Sequence, residues 1–328
     1  MMDREDFPMD RNFIPSCDLE TWKARMALSE KVRGFFKRRG ILEVNTPVLS
    51  RACGTDAHLD YFETAGKPVR YLMTSPEFHL KRLLAAGFGD IFEIAHAFRL
   101  DEVGRKHNSE FELVEWYRVG MSMENLMEEV EDLTATVLGK SVKAERLRFR
   151  EAFRRYAEVD PFTASADDFR RALKRNDVPD VEGSDSFVRE DWWDYLMVTI
   201  VEPHLGMETP QFLMDYPESC AALAKTYVNS SGDRVAKRFE LYIGNMELCN
   251  GYEELTDPRE QRRRFDADIA FRRANGKPVP AVDERFLSAL EHGMPSASGV
   301  ALGLDRLYML ALGKEKIEDV VLFMDDNS

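Results

Sequence analysis

Two strand-like segments joined by a long polar loop limit the possible folds of this chain most strongly. Residues 91–99 and 110–119 each combine aromatic and branched apolar residues with interspersed polar ones, a pattern that predicts strands. Residues 100–109 form a polar loop between them. Because parallel neighbours need a crossover connection, this arrangement predicts an antiparallel hairpin.

Helices and strands are grouped along the rest of the chain and do not alternate. Helical periodicity is clear at 20–38 and over most of 122–205. Two strand-like segments meet at Gly244–Asn245, a pair typical of a hairpin turn. A glycine-rich strand enters a helix at 298–313. The order predicts an α+β fold with an antiparallel sheet flanked by helices, and we expect residues 1–328 to form a single domain.

Length and apolar content exclude several classes of protein. The chain has 328 residues, of which 44% are hydrophobic, enough to bury one large core. No run of about eighteen apolar residues occurs, so we expect no membrane-spanning segment. Residues 1–16 are acidic and polar and lack the basic and apolar regions of a secretory signal.

The cysteines are too scattered for a zinc site or a disulfide framework. They occur at Cys17, Cys53, Cys220 and Cys249. We expect most of them to be buried, inert thiols, and we expect the protein to be cytoplasmic.

A formal charge of −14 opposes tight RNA binding through the general surface. Proteins that wrap nucleic acid gain affinity by neutralising phosphates with Lys and Arg. A local basic patch is the alternative, and residues 262–265 and 271–273 are its candidates. A solvated helix face explains these residues better.

The hairpin carries side chains suited to a nucleotide. Arg99 ends its first strand, and an arginine fixed beside two strands can hold a phosphate through paired hydrogen bonds. An aromatic residue on the return strand, such as Phe111, can stack on a purine. Glu115 and Tyr117 are two residues apart and therefore share a strand face. Taken singly, Arg99 or Glu115 is better explained as a solvated charge.

Acidic residues surround the predicted turn at Gly244–Asn245. Glu240 precedes the turn and Glu247 follows it, and the turn would reset the alternation of side chains between the two strands. The two carboxylates would then share a hard cation, because Mg²⁺ prefers carboxylate and phosphate oxygens. The alternative is a polar edge hairpin, which explains such a cluster less readily.

A glycine-rich strand leads into the last helix. Gly299 and Gly303 allow a ligand to approach the backbone closely. Arg306 lies at the start of the helix, where free N–H groups favour anions. The alternative is a tightly packed buried strand, because glycine-rich segments alone are weak indicators of nucleotide binding.

Together these segments resemble the catalytic core of class II aminoacyl-tRNA synthetases, whose three motifs occur here in order. Motif 1 corresponds to about 20–50, motif 2 to about 91–119 and motif 3 to about 298–313. The segments TSPEFHLKRL, MDYP and ELCNGYEEL resemble the lysyl branch. The resemblance implies ATP and Mg²⁺ as cofactors, a homodimer formed through motif 1, and a mainly helical insertion at about 122–205.

The resemblance implies a set of ATP-binding residues. Arg99 would bind the α-phosphate and Arg306 the γ-phosphate, and these two arginines are expected to be catalytic. Glu240 and Glu247 would hold magnesium. The remaining expected ATP-binding residues are Asp101, His107, Asn108, Phe111, Glu247, Leu248 and Gly303. Asp101 stands where the family usually has glutamate and is one methylene shorter, so the alternatives are a weaker or water-mediated adenine contact, or one made by Glu102.

The resemblance also implies an amino-acid pocket. Glu77 and Glu254 would face the ammonium group of a lysine side chain, since a desolvated cation needs acidic partners. The full set of expected substrate-binding residues is Ser75, Glu77, Glu115, Tyr117, Asn250, Glu254 and Ala301.

Three departures separate the chain from lysyl-tRNA synthetases. The sequence begins almost at motif 1, so we expect no anticodon-binding domain and no stable tRNA binding. Ser75 replaces an alanine, and Ala301 replaces the middle glycine of motif 3. The chain thus resembles a stand-alone branch that attaches a β-lysyl group to a lysine of elongation factor P. The alternative functions are a truncated enzyme that charges tRNA or a small amine with L-lysine, and a non-catalytic paralogue. The alternative explanation of Ser75 and Ala301 is neutral drift without a change of substrate.

Overall fold

A computed structural model describes residues 14–57 and 59–325 of the chain. The expectation that residues 1–16 are not a secretory signal falls almost wholly outside these residues. Within the described part, no helix combines the length and apolar character needed to cross a membrane. The four cysteines are free thiols; Cys220 is half-buried and the other three are buried.

The strands form one large sheet and two short pairs. In spatial order the large sheet contains β1 (Leu42–Glu43), β4 (Ile91–Phe98), β5 (Glu110–Val119), β12 (Ala297–Gly303), β11 (Glu247–Glu253), β10 (Arg238–Tyr242), β7 (Gln211–Met214) and β6 (Glu145–Arg148). The short pairs are β2 (Leu49–Ser50) with β3 (Tyr71–Leu72), and β8 (Thr226–Val228) with β9 (Arg234–Ala236). The predicted antiparallel hairpin is confirmed as β4 and β5.

The sheet is antiparallel in its centre, as predicted, but not at its edges. β1 runs parallel to β4, and β6 runs parallel to β7. The predicted α+β fold with an antiparallel sheet is thus confirmed, with one parallel strand added at each edge. The physical reason is the length of the connections, since both edge pairs are joined by long segments that contain helices and can cross over.

The helices pack on both faces of the sheet. Their bounds are α1 (Leu19–Arg38), α2 (Glu77–Ala85), α3 (Met123–Leu138), α4 (Phe149–Ala152), α5 (Ala166–Arg175), α6 (Arg189–Leu196), α7 (Pro258–Ala274), α8 (Glu284–Gly293) and α9 (Leu304–Leu312). The predicted helix at 20–38 is α1, which begins after Asp18, whose carboxylate accepts a hydrogen bond from the N–H of Thr21.

The main core lies between one face of the sheet and helices α1, α3 and α9. Phe36 of α1 stacks on Phe92 of β4 with ring centres 4.4 Å apart, and Trp116 of β5 is fully buried beside them. A second core covers one end of the opposite face, where Phe78 of α2 stacks on Phe286 of α8 at 4.7 Å. The rest of that opposite face carries the polar side chains described below.

Much of the segment 122–205 is helical. Its first helix, α3, belongs to the main core, whereas α5 and α6 pack with β6 and β7 into a separate cluster. Trp192 is at the centre of this cluster and is 2% exposed. The strand β6 within this segment was not anticipated from the sequence.

Candidate active site

A row of side chains crosses five strands on the open face of the sheet. Residues directly opposite each other in a sheet share a face, and the pairing runs from Glu93 through Glu115, Ala301 and Asn250 to Glu240. The row joins motif 2, motif 3 and the predicted acidic hairpin. Three segments that are distant in the sequence therefore contribute to one surface.

Glu115 is held by two hydroxyl groups. Ser75 Oγ donates a hydrogen bond of 2.7 Å to Glu115 Oε2, and the Tyr117 hydroxyl donates one of 2.7 Å to Oε1. The predicted shared face of Glu115 and Tyr117 is thus confirmed. Burial, reinforced by the carboxylate of Glu77, raises the pKa of Glu115 to about 8. Without a ligand this carboxyl therefore holds its proton near neutral pH, and a cationic ligand would favour its ionised form.

Glu77 and Glu254 lie on either side of a lysine that the sequence analysis missed. Lys81 Nζ is 2.6 Å from Glu77 Oε1 and 2.5 Å from Glu254 Oε2. Lys81 and Glu254 are fully buried. Burial, only partly offset by Lys81, raises the pKa of Glu254 to about 7. The available signal was the position of Lys81 one helical turn after Glu77, which places both on one side of α2.

Gly299 packs so closely against neighbouring side chains that no Cβ atom fits at this position. A Cβ atom at this position would overlap the ring of Tyr117 and lie 2.7 Å from Glu254 Oε1. The glycine is therefore required by the packing of Tyr117 and Glu254, whereas the sequence suggested that it allows close approach of a ligand. At Gly303, a Cβ atom would come no closer than 3.8 Å to Arg306 and 3.9 Å to the carbonyl of Leu248.

Arg99 lies beside the ring of Phe111 at the end of β4. Its guanidinium carbon is 4.9 Å from the ring centre, and Nη1 is 3.6 Å from Glu102 Oε2. Among the described residues, Arg99 Nε is buried without a hydrogen-bond partner, which leaves donor capacity for a ligand. Asp101 is exposed with a φ of 63°, so Glu102 is the acidic residue that approaches Arg99.

Arg306 is held by the loop of the β4–β5 hairpin and by β11. Its Nη2 is 2.6 Å from His107 Nε2, and its Nη1 donates a hydrogen bond of 2.8 Å to the carbonyl of Glu247. Burial and the charge of Arg306 lower the pKa of His107, so a neutral imidazole accepts this hydrogen bond at Nε2. Of the two arginines predicted to be catalytic, Arg99 thus directly follows β4 in motif 2, and Arg306 lies in the first turn of α9, which follows β12 in motif 3.

Asn108 has a structural role within the hairpin loop. It is 6% exposed, and its Nδ2 donates a hydrogen bond of 2.8 Å to the carbonyl of Glu110. Its Oδ1 accepts a hydrogen bond of 3.1 Å from the N–H of Asp325. Asn108 therefore fixes the loop in this structure through backbone groups, and its expected contact with adenine stays a prediction.

A bulge in β11 places Glu247 on the same face as Glu240. Leu241 pairs with Cys249, but Tyr242 pairs with Glu247, so the buried Leu248 is the extra residue. The predicted reset of alternation occurs, although it lies within the strand and not in the turn. Strands β10 and β11 thus contribute the carboxylates of Glu240 and Glu247 to the same face of the sheet.

Glu240 is surrounded by hydrogen-bond donors. Arg238 Nη2 donates to Oε1 at 2.6 Å, the Tyr242 hydroxyl donates to Oε2 at 2.8 Å, and the Tyr216 hydroxyl donates to Oε2 as well. These three partners were not singled out from the sequence, although Arg238 and Tyr242 share the alternation of Glu240. Both oxygens of the carboxylate are occupied by the protein itself.

Glu247 is better placed than Glu240 to meet a cation. Burial and the neighbouring charge of Glu240 raise the pKa of Glu247 to about 7, which signals negative charge that the protein does not fully neutralise. No group of three or more His, Cys, Asp or Glu residues within 14–57 and 59–325 is arranged to hold a metal. The donor set fits Mg²⁺ that is held by one or two carboxylates together with substrate phosphates.

A cavity of about 620 Å³ lies outside this site, between the β8–β9 pair and α7. The charged side chains around it are paired with one another. Lys237 Nζ is 2.5 Å from Glu253, and Arg264 Nε is 2.8 Å from Glu260. The candidate basic patch at 262–265 is thus partly neutralised, and the chemistry suggested by the sequence lies in the polar row instead.

Residues 18–327 match the family model described as tRNA synthetases class II (D, K and N). The chain belongs to this family. Membership confirms the resemblance drawn from the three motifs and the α+β fold, and it implies that the chain uses ATP.

Several curated relatives of this class II synthetase family member share one name. The elongation factor P–(R)-β-lysine ligase of Proteus mirabilis is 45% identical over 316 residues, which cover 94% of this chain and 96% of that protein. Ligases of the same name from Salmonella arizonae and Salmonella dublin are each 44% identical and cover 96% of this chain and 98% of their own length.

Proposed function

We propose that the chain activates (R)-β-lysine, or lysine, with ATP and transfers the aminoacyl group to a lysine side chain of elongation factor P. The observation that carries this proposal is the cluster of Glu77, Glu115 and Glu254 on the face of the sheet that also carries the nucleotide-binding hairpin. The name shared by relatives at 44–45% identity over nearly the whole chain supports the acceptor and the isomer.

The pocket suits an amino acid with two ammonium groups. Glu77 and Glu254 are proposed to bind the side-chain ammonium, and Glu115 with Asn250 to bind the other one. Burying a cation is costly unless paired charges surround it, and the three carboxylates supply that pairing. Tyr117 donates to Glu115 and orients its carboxylate toward the substrate.

The positions of Ser75 and Ala301 support selection between lysine isomers. Ala301 lies between Glu115 and Asn250 in the sheet, so its methyl group occupies space beside both residues proposed to meet the amino group. Ser75 adds a hydrogen bond to Glu115. Moving an amino group from the α to the β carbon requires such a change, and one methyl discriminates by about 1–3 kcal/mol.

In the first step, the carboxylate of the amino acid attacks the α-phosphorus of ATP in line, and pyrophosphate leaves. Arg99 is proposed to hold the α-phosphate while Phe111 stacks on adenine. Arg306 is proposed to hold the γ-phosphate, with His107 beside it. No side-chain nucleophile is needed, because positioning and charge neutralisation supply the rate acceleration.

Magnesium, when bound with ATP, would neutralise the charge that develops on the phosphate oxygens. Glu247 is the residue proposed to hold it, because its nearest basic partner, Arg306 Nη1, is 3.8 Å from Oε2, whereas both oxygens of Glu240 accept hydrogen bonds from the protein. Glu240 would bind the ion only after one of its oxygens had lost its hydrogen-bond donors.

In the second step, the amine of the acceptor lysine attacks the carbonyl carbon of the adenylate. A C–N bond forms, the bond to the AMP phosphate breaks, and the amine loses a proton.

Apolar side chains of motif 1, including Leu42 and Leu49, are about half exposed, which supports a homodimer formed through this segment. A formal charge of −14 disfavours stable tRNA binding. The proposed substrates, ATP and elongation factor P, support a cytoplasmic location.

Mass spectrometry of elongation factor P incubated with the enzyme, ATP and each lysine isomer tests the proposal. The expected result is the mass increase of one β-lysyl group on one lysine, dependent on ATP. Transfer of L-lysine to tRNA with no modification of the factor would contradict the proposed acceptor. Absence of pyrophosphate exchange with either isomer would contradict the proposed adenylation.

A further inference from the structure

Lys81 is a buried cation in a pocket proposed to bind a cation. Its side chain is 0% exposed, and its Nζ lies between the carboxylates of Glu77 and Glu254 at 2.6 and 2.5 Å. The ring of Phe286 covers it, with the ring centre 5.9 Å from Nζ. The position is fixed from two elements, since Lys81 and Glu77 lie one turn apart on α2 and Glu254 follows β11.

The acidic groups around Lys81 outnumber the basic ones. Glu77, Glu254 and the nearby Glu115 supply three carboxyl groups, whereas Lys81 supplies one ammonium group. Among the described residues, Glu254 Oε1 is buried without a hydrogen-bond partner. A structural ion pair normally leaves no such oxygen, because an unpaired buried acceptor is costly. The surplus points to a ligand that brings positive charge.

Lys81 also separates the two carboxylates with which it pairs. Without a cation between them, these carboxylates would repel each other, and one of them would take up a proton. A proton shared by the pair would let a neutral hydroxyl group bind there with little penalty. With Lys81 in place, its charge favours the ionised form of Glu254, and a neutral ligand group would leave charge in the pocket unpaired.

We infer that Lys81 is a specificity-determining positioning residue, which pairs with both Glu77 and Glu254 and fixes their spacing so that the pocket requires an ammonium group at the end of the substrate. The inference rests on the proposed function and deepens it. Lys81 does not touch the reacting carboxylate of the substrate. Its effect is therefore confined to the choice and affinity of the amino acid.

The experiment compares the preferred lysine isomer with its analogue in which a hydroxyl replaces the terminal ammonium. Pyrophosphate exchange gives kcat/KM for both amino acids with the parent and with Lys81→Met. We expect the ratio of the two kcat/KM values to fall at least about tenfold in Lys81→Met, mainly through a higher KM for the lysine isomer, while the KM for ATP stays unchanged. Both values come from one preparation, so their ratio does not depend on the folded fraction.

A matched control is Lys143→Met, which removes an ammonium group 3.0 Å from the buried Glu131, outside the pocket. This variant should keep the parental ratio. Lys81→Arg, which retains a positive charge, should keep most of the discrimination. Lys81→Gln provides the same comparison of ratios if Lys81→Met does not fold.

The parental ratio in an active Lys81→Met or Lys81→Gln variant would overturn the inference, as would an equal loss of activity with both amino acids. A parent enzyme that activates no diamino acid would instead overturn the proposed function. The two failures are therefore distinguishable.

Discussion

Ser75 Oγ and Glu115 Oε2 are joined by a hydrogen bond of 2.7 Å. Ala301 lies directly opposite Glu115 across β5 and β12. The two positions at which the chain departs from the lysyl-tRNA synthetase pattern therefore converge on one buried carboxylate. A change at either position alters the space or the hydrogen bonds around the group proposed to hold an amino group of the substrate.

Replacement of Ala301 by glycine is expected to relax the choice between isomers. Loss of the methyl group opens space between Glu115 and Asn250, where the α-amino group of L-lysine would lie. The ratio of kcat/KM for (R)-β-lysine over L-lysine should fall roughly tenfold, as measured by pyrophosphate exchange. Ala236→Gly, in a buried strand position outside the site, controls for general loosening. An unchanged ratio in Ala301→Gly would refute the pocket argument.

Replacement of Ser75 by alanine is expected to weaken amino-acid binding near neutral pH. The Ser75 hydroxyl stabilises the ionised form of Glu115, so its loss should raise the pKa of Glu115 further above 8. The carboxyl then keeps its proton to a higher pH, and the rise of kcat/KM with pH should move upward. Ser288→Ala, on the exposed side of α8, should leave the profile unchanged. A parental pH profile in Ser75→Ala would contradict this role.

Removal of either predicted catalytic arginine should abolish adenylation. Arg99→Ala and Arg306→Ala each leave phosphate charge unpaired in the transition state, a loss expected to exceed about 100-fold in kcat. Pyrophosphate exchange measures this loss directly. Arg105→Ala is a matched control from the same hairpin loop, because Arg105 pairs with Glu315 at the surface. Near-parental exchange in either variant would remove that arginine from the proposed mechanism.

The sequence was most informative where chemistry and periodicity coincide. The alternation around Arg99 and Glu115 predicted the β4–β5 hairpin, and the two-residue spacing placed Tyr117 on the face of Glu115. The resemblance to class II synthetases then supplied the roles. These features depend on residues close together in the chain, which local pattern can place.

Features that depend on long-range packing were not predictable from local pattern. Lys81 meets Glu254 only because α2 packs against the end of β11, and Tyr216 reaches Glu240 from a different segment. Asn108 was assigned to the nucleotide, yet its amide is bonded to backbone groups of Glu110 and of a residue near the end of the described chain. In each case the partner lies on an element whose position the sequence does not specify.

The two carboxylates predicted to hold magnesium should behave differently on substitution. Glu247→Gln should raise the Mg²⁺ concentration for half-maximal exchange at least about tenfold with little change in stability. Glu240→Gln leaves the guanidinium of Arg238 without its charged partner, so this variant should have a free energy of unfolding lower by about 3 kcal/mol. Magnesium titrations and urea unfolding separate the two effects. A larger shift in the magnesium requirement for Glu240→Gln than for Glu247→Gln would reverse the assignment.

The stability of the ligand-free protein should decrease as pH rises, because of Glu115. The pKa of this carboxyl rises from its usual 4.5 to about 8 on folding, so the folded state binds the proton more tightly than the unfolded chain. The contribution of Glu115 to the free energy of unfolding therefore falls as pH rises from about 4.5 to about 8. Glu115→Gln removes this contribution, so the stability of the variant relative to the parent should increase with pH, by about 3 kcal/mol between pH 5.5 and 8.5. Urea unfolding at several pH values without amino acid measures the difference, with Glu20→Gln, at an exposed position of α1, as the control. Parallel pH dependences for parent and Glu115→Gln would show that folding does not raise the pKa of this carboxyl, which would contradict the buried, negatively charged surroundings assigned to it.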